Sequence, residues 1–133
     1  MKSKLILGVE EVQAILAAAR TEAESHQWVV TIAVVDDGGH PLGLLRLDGC
    51  APVSAYISTE KARTAALGRR ESRIYEESIN QGRTAFVSAP LTAMLEGGVP
   101  VVIDGHVIGA VGVSGVKSEQ DAQIAKAGIA SLA

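Results

Sequence analysis

The sequence predicts an α/β protein of the α+β type, an antiparallel sheet with helices packed on it, and three observations carry that prediction. Two segments, VVDDGGHPLGLLRLDG and VVIDGHVIGAVGVSG, each read as an apolar strand, an Asp/Gly turn, a return strand and a glycine exit. Each leads into a helical pattern, so hairpins rather than single strands alternate with helices, which implies an antiparallel sheet and not a doubly wound parallel one. Finally, 47% of the 133 residues are hydrophobic but only 3% are aromatic. The core is therefore built from Ala, Val, Ile and Leu, and so many small residues imply closely packed helices or interfaces.

The elements follow in order. Val9, Val12, Leu16, Ala19 and Ala23 recur at helical spacing opposite Glu10, Glu11, Arg20, Glu22 and Glu24. Gly8 is the expected N-cap, the two glutamates suit the positive end of the dipole, and His26-Gln27 ends the helix. Trp28 to Val35 is an apolar run without polar alternation, the pattern of a strand covered on both faces. Asp36-Asp37-Gly38-Gly39-His40 is a turn in which the aspartates act as caps. Leu42 to Leu47 returns, with Pro41 where a missing N–H does least harm. Pro52 opens a helix from Val53 to Leu67 that stops at Gly68, and its stripe of Ala55, Ser58, Ala62 and Ala65 suits close packing. Ser72 to Asn80 is a shorter helix ended by Gln81-Gly82, and Thr84 to Ala93 has mixed periodicity, followed by an expected brief strand near Met94-Leu95.

The second hairpin is the element around which the chain is organised. Val99 to Ile103 runs out, Asp104-Gly105 supplies the positive φ of a type I′ turn, and His106 to Val113 runs back. Gly97, Gly98, Gly109, Gly112 and Gly115 weaken such a hairpin unless a helix, another subunit or a ligand comes close to the backbone. A last helix runs from Glu119 to Leu132, begun by the capping pattern Ser118-Glu119-Gln120-Asp121, with Ile124, Ala125, Gly128, Ile129 and Leu132 as its buried stripe.

Composition bounds the function. A length of 133 residues suits a single domain, 1–133, able to bury a core without metals or disulfides. A net charge of −3 argues against nucleic acid and acidic membranes as partners. Cys50 is alone, which fits a reducing compartment. The run Leu5-Ile6-Leu7 is too short for a signal peptide and no segment has transmembrane length, so the expected location is cytoplasmic.

Catalytic signatures do not emerge. In the exit Val113-Ser114-Gly115-Val116-Lys117-Ser118, Val116 separates the last glycine from the lysine, so it is not a P-loop, and the glycine spacing does not match GxGxxG. His26, His40 and His106 have no paired spacing, which disfavours zinc; each reads first as a surface residue, with the single axial ligand that a haem requires as the alternative. Arg46 and Asp48 share a parity of a leucine-rich strand, and Lys61 falls among small helical residues. Charges there must be paired or face a cavity, so an ion-pair network and a ligand site are both open.

Taken together, VVDDGG, Arg46-Leu47-Asp48-Gly49, Lys61-Ala62-Arg63-Thr64-Ala65, Gly97-Gly98-Val99-Pro100, Ile108-Gly109-Ala110-Val111-Gly112-Val113-Ser114-Gly115 and Gln120-Asp121 resemble the GlcG/HbpS-like family, whose domain also forms the C-terminal part of PduO proteins. The resemblance covers nearly the whole chain, in the family's order. It implies a profilin-like fold with a five-stranded antiparallel sheet sandwiched by helices, assembled as a homo-oligomer from dimer up to octamer. It also implies haem or another small carboxylated ligand, in relatives that occur beside glycolate, diol and glycerol catabolic genes. The blocks mark Arg46, Asp48, Lys61, Thr64, Gly97, Gly98, Pro100, Ser114, Gly115 and Asp121, with Lys61 and Arg46 available to carboxylates. The expected function is an oligomeric ligand-binding accessory protein; the alternatives are an enzyme on a small hydroxy- or oxo-acid, or a structural partner of a metabolic complex.

Overall fold

A computed structural model describes all 133 residues, Met1–Ala133. Helix α1 (Val9–Ser25) leads to the hairpin of β1 (Thr31–Asp36) and β2 (Pro41–Arg46). Helices α2 (Val53–Gly68) and α3 (Ser72–Asn80) and a 3-10 turn (Thr84–Ser88) follow. A second hairpin, β3 (Gly98–Ile103) and β4 (His106–Ser114), then leads into α4 (Ser118–Ala130). The strands form one antiparallel sheet in the order β2-β1-β4-β3. The two hairpins thus meet along β1 and β4, whose side chains are buried on both faces, as their unbroken apolar runs require.

Helices cover both faces. On one, α1 and α4 enclose Ile15, Ala19, Ile32, Val34, Val111, Val113 and Ile124. On the other, α2 lies on β1, β4 and β3 with Ala62, Ala65 and Ala66 against Val35 and Ala110. That second interface is close enough that a Cβ on Gly112 would lie 2.0 Å from the Ser58 carbonyl oxygen. The small-residue stripe of α2 therefore packs inside the chain, with Ser58, Ala62 and Ala65 buried and Ala55 half-buried. Asp104 and Gly105 have φ of 51° and 77°, the pair of positive values that a type I′ turn demands.

The expected fifth strand is absent: the sheet has four. Met94-Leu95, where a brief strand was expected, lies in an irregular strap between the 3-10 turn and β3. Tight bonds from Leu91 N to the Ala89 carbonyl and from Leu95 N to the Ala93 carbonyl, each 2.7 Å, turn its backbone groups inward. The hydroxyls of Thr64 and Ser72 donate to the carbonyls of Thr92 and Leu95. Backbone groups spent on turns and side chains are not free to form a ladder.

Other boundaries shift for local reasons. The first strand begins at Thr31 rather than Trp28, because Trp28 is drawn back to stack on His26 at 4.2 Å between centroids. Helix α2 includes Gly68, and it is Arg69 that takes the left-handed position, with φ 58°. Lys117, not Ser118, caps α4, its N–H donating to Gln120 Oε1. Val9 of the predicted apolar stripe is exposed and Ile15 is fully buried in its place. No helix is long and apolar enough to cross a membrane.

Candidate functional site

Four of the marked residues meet at one buried point, where the end of β4, the start of α4, the middle of α2 and the Gly97-Gly98 turn converge. Lys61 is 3% exposed and Asp121 2%. The Lys61 ammonium donates to Asp121 Oδ2 at 3.1 Å and to the Val113 carbonyl at 3.0 Å, and Val116 N donates to Asp121 Oδ1 at 3.2 Å. Burial raises the Asp121 pKa to about 6, against the opposing pull of Lys61 and the Val116 N–H. The glycines belong to the same knot. A Cβ on Gly97, whose φ is 132°, would lie 2.8 Å from Lys61 Nζ, and one on Gly98 would lie 2.1 Å from the Lys61 carbonyl oxygen. What approaches this backbone within the chain is α2 itself.

The other marked residues spread outward from the knot. Thr64, one turn further along α2, is buried and its hydroxyl donates to the Thr92 carbonyl at 2.6 Å. Ser114 ends β4 opposite Thr31, and Gly115, with φ 144°, brings its backbone so near the segment leading into β1 that a Cβ would lie 2.5 Å from the Val29 carbonyl oxygen. Pro100 is half-buried on β3, an edge strand, where a residue lacking an N–H does little harm and blunts further pairing. Arg46 and Asp48 join neither the knot nor each other. Both are exposed at the end of β2, and Arg46 donates to the Cys50 carbonyl at 3.0 Å. Arg46 ends an edge strand and Asp48 lies in the turn after it, both open to solvent, so neither needs a buried partner.

The three histidines are all exposed. His26 stacks on Trp28 and contacts Glu22 at 3.2 Å, while His40 Nδ1 is 3.0 Å from Asp36. His106 makes no side-chain hydrogen bond; it borders a hollow of about 430 Å³ lined also by Lys4, Arg69, Val102, Gly105 and Val107. Two apolar hollows lie elsewhere. One of about 460 Å³ runs between α3 and the strap, past Ile79, Val87 and Leu91. The other, about 410 Å³, lies between α1 and β2, lined by Val12, Leu16, Leu42 and Leu44. No three His, Cys, Asp or Glu side chains converge as a metal site would require.

A family model described as haem degrading protein HbpS-like matches residues 7–130. The chain belongs to the HbpS-like family. It is 65% identical over 114 residues to Protein GlcG of Escherichia coli (strain K12), covering 86% of this chain and 85% of that one. A double mutant of Streptomyces reticuli HbpS superposes with a TM-score of 0.90 at 33% identity, over 100% of this chain and 91% of the other. The crystal structure of a PduOC:haem complex superposes with a TM-score of 0.85 at 25% identity, over 96% and 95%.

For a member of this family, the sequence blocks led to residues that hold elements together, and missed others that do so. Ser72 is fully buried; its hydroxyl accepts from Gly98 N at 2.8 Å and donates to the Leu95 carbonyl, pinning the strap to the hairpin. Asp36 caps its turn as expected, accepting from Gly38 N and His40 N at 2.9 Å each. Asp37 does something else: it bridges Lys4 and Arg69, which hold its carboxyl below the usual range, the Lys4 hydrogen bond foremost. A lysine four residues from the start and an arginine after a helix give no local signal of that meeting.

Proposed function

We propose that this HbpS-like protein is an oligomeric accessory protein that binds haem or another small carboxylated ligand and serves small-acid or diol catabolism. One observation carries the reading: the chain matches along nearly its whole length a domain crystallised as a haem complex. The surface chemistry is compatible. Haem has an apolar ring and anionic edges, and the apolar hollows and the cationic hollow of this chain supply surfaces of both kinds. As to the iron, His106 is the imidazole whose ring nitrogens have no partner in the chain, whereas His26 and His40 are engaged by carboxylates. A bound haem would supply ligand-exchange and redox chemistry; the chain's part would be to hold its edges and cover its face.

The test is a haemin titration of the purified protein followed by visible absorbance, with the native mass determined alongside. A saturable, shifted Soret band near one equivalent per subunit, on an oligomer, is the expected result. Weak, non-saturating binding by a well-formed oligomer would overturn the haem reading and favour a small acid as ligand.

A further inference from the structure

The hollow at the tip of the second hairpin is formed by three segments far apart in the chain: the N-terminal arm, the end of α2 and the β3–β4 turn. Each contributes a nitrogen side chain, Lys4, Arg69 and His106. One carboxylate lies between them, since Asp37 Oδ2 accepts from Lys4 Nζ and lies 3.9 Å from an Arg69 Nη. Lys4 spends a second donor on the Val107 carbonyl at 3.4 Å. Arg69 Nη1 donates to the carbonyls of Asp37 and Ala66. An ammonium has three N–H donors and a guanidinium five, so one on Lys4 and those on Arg69 Nε and Nη2 remain without a hydrogen-bond acceptor. Lys4 and Arg69 thus share the single carboxylate of Asp37, with Asp36 the next acidic group along the same turn.

The backbone gives a second, independent sign. Arg69 occupies the left-handed position after α2, with φ 58° and ψ 32°. That position favours glycine, and a non-glycine residue there costs about 1 kcal/mol. The conformation turns the guanidinium back over the α2 terminus toward Asp37. The walls of the hollow, Val102 and Val107, are apolar, and Gly105 keeps the turn low at its rim.

We propose that this hollow is a carboxylate-recognition site, in which the Arg69 guanidinium and the Lys4 ammonium bind the oxygens of a small organic anion and His106 closes the rim. The proposal deepens the ligand-binding reading above and rests on it for the chemistry of the ligand. Carboxylate is the shared chemistry: its source is either a free small acid or the propionate edge of a haem.

Two probes distinguish them, malonate by calorimetry at low ionic strength and haemin by absorbance, each applied to the wild type and to Arg69→Gly, Lys4→Ala and Arg73→Ala. Arg69→Gly suits the left-handed backbone and so removes the guanidinium without strain, while Arg73, paired with Glu77 on α3, is a control. The expected result is saturable binding of malonate, haemin or both, weakened about tenfold by Arg69→Gly, weakened also by Lys4→Ala, unchanged by Arg73→Ala, and falling as salt is raised. Malonate alone would assign a free acid, haemin alone a propionate. Saturable haemin binding that none of the variants alters would overturn this site while leaving the ligand-binding reading intact. Absence of saturable binding of either probe by the wild type would overturn both.

Discussion

Replacing Lys61 with Met keeps the length of the side chain and removes its charge, leaving the Asp121 carboxylate buried with the Val116 N–H as its remaining hydrogen-bond donor. At 3.1 Å the two charges attract by about 5 kcal/mol at an effective dielectric of about 20, but burying each ion costs several kcal/mol, so the pair is close to neutral as a unit. Breaking it is not. Loss of one partner of a buried pair destabilises by about 3–5 kcal/mol, a large share of the roughly 5–15 kcal/mol that holds a domain folded. Because burial already raises the Asp121 pKa to about 6, the variant relieves itself by protonating that carboxyl, and the loss is larger at pH 8 than at pH 5. Urea unfolding followed by circular dichroism, at equal protomer concentration, measures it. The double variant Lys61→Met/Asp121→Leu returns to within about 1 kcal/mol of wild type or exceeds it. Wild-type stability of Lys61→Met at pH 8 together with lost ligand affinity would refute the reasoning and make Lys61 a ligand group.

The wild type has its own pH signature from the same carboxyl. Its folded pKa of about 6 lies above the ordinary 3.8, so the stability it contributes is fully present below about pH 4 and is lost as the pH rises through 6. The shift amounts to about 3 kcal/mol; Asp121→Asn removes that slope from urea midpoints measured between pH 4 and 7, and an unchanged slope would contradict the assignment. Gly112→Ala places its Cβ against the α2 backbone, 2.0 Å from the Ser58 carbonyl oxygen, and lowers stability by about 3 kcal/mol. At Gly43 a Cβ would meet the ends of Val12 and Leu16 side chains, which move aside, so Gly43→Ala costs about 1 kcal/mol or less. Equal losses at the two sites would remove the argument for close backbone contact at β4.

Hairpins, helices and the reason for the glycines were legible because each has a local cause. Asp104-Gly105 sets its own turn, and a glycine at 98 or 112 announces that something comes close. What comes close was not legible: the Lys61 carbonyl and the Ser58 carbonyl lie on a helix 37 and 54 residues away in sequence. The partner of Lys61 was hidden by the same separation, since it lies 60 residues on. Arg46 and Asp48 have no buried partner because parity says which face a side chain takes and not whether that face is covered; at the end of edge strand β2 it is open to solvent. The strap at 89–96 has no hydrophobic period because side-chain hydroxyls, rather than a ladder, hold its backbone.

Lys61, Gly97, Gly98 and Asp121 build a buried knot, and the proposed ligand site lies apart from it, at the tip of the second hairpin. Hydrogen–deuterium exchange with and without saturating haemin separates the two regions. Haemin is expected to bring new protection to peptides containing Arg69 and the 102–107 turn, with exchange across Gly97, Gly98 and Ser114–Asp121 slow and unaltered. New protection confined to Gly97–Gly98 and Ser114–Asp121, with the hairpin tip unmoved, would contradict that separation.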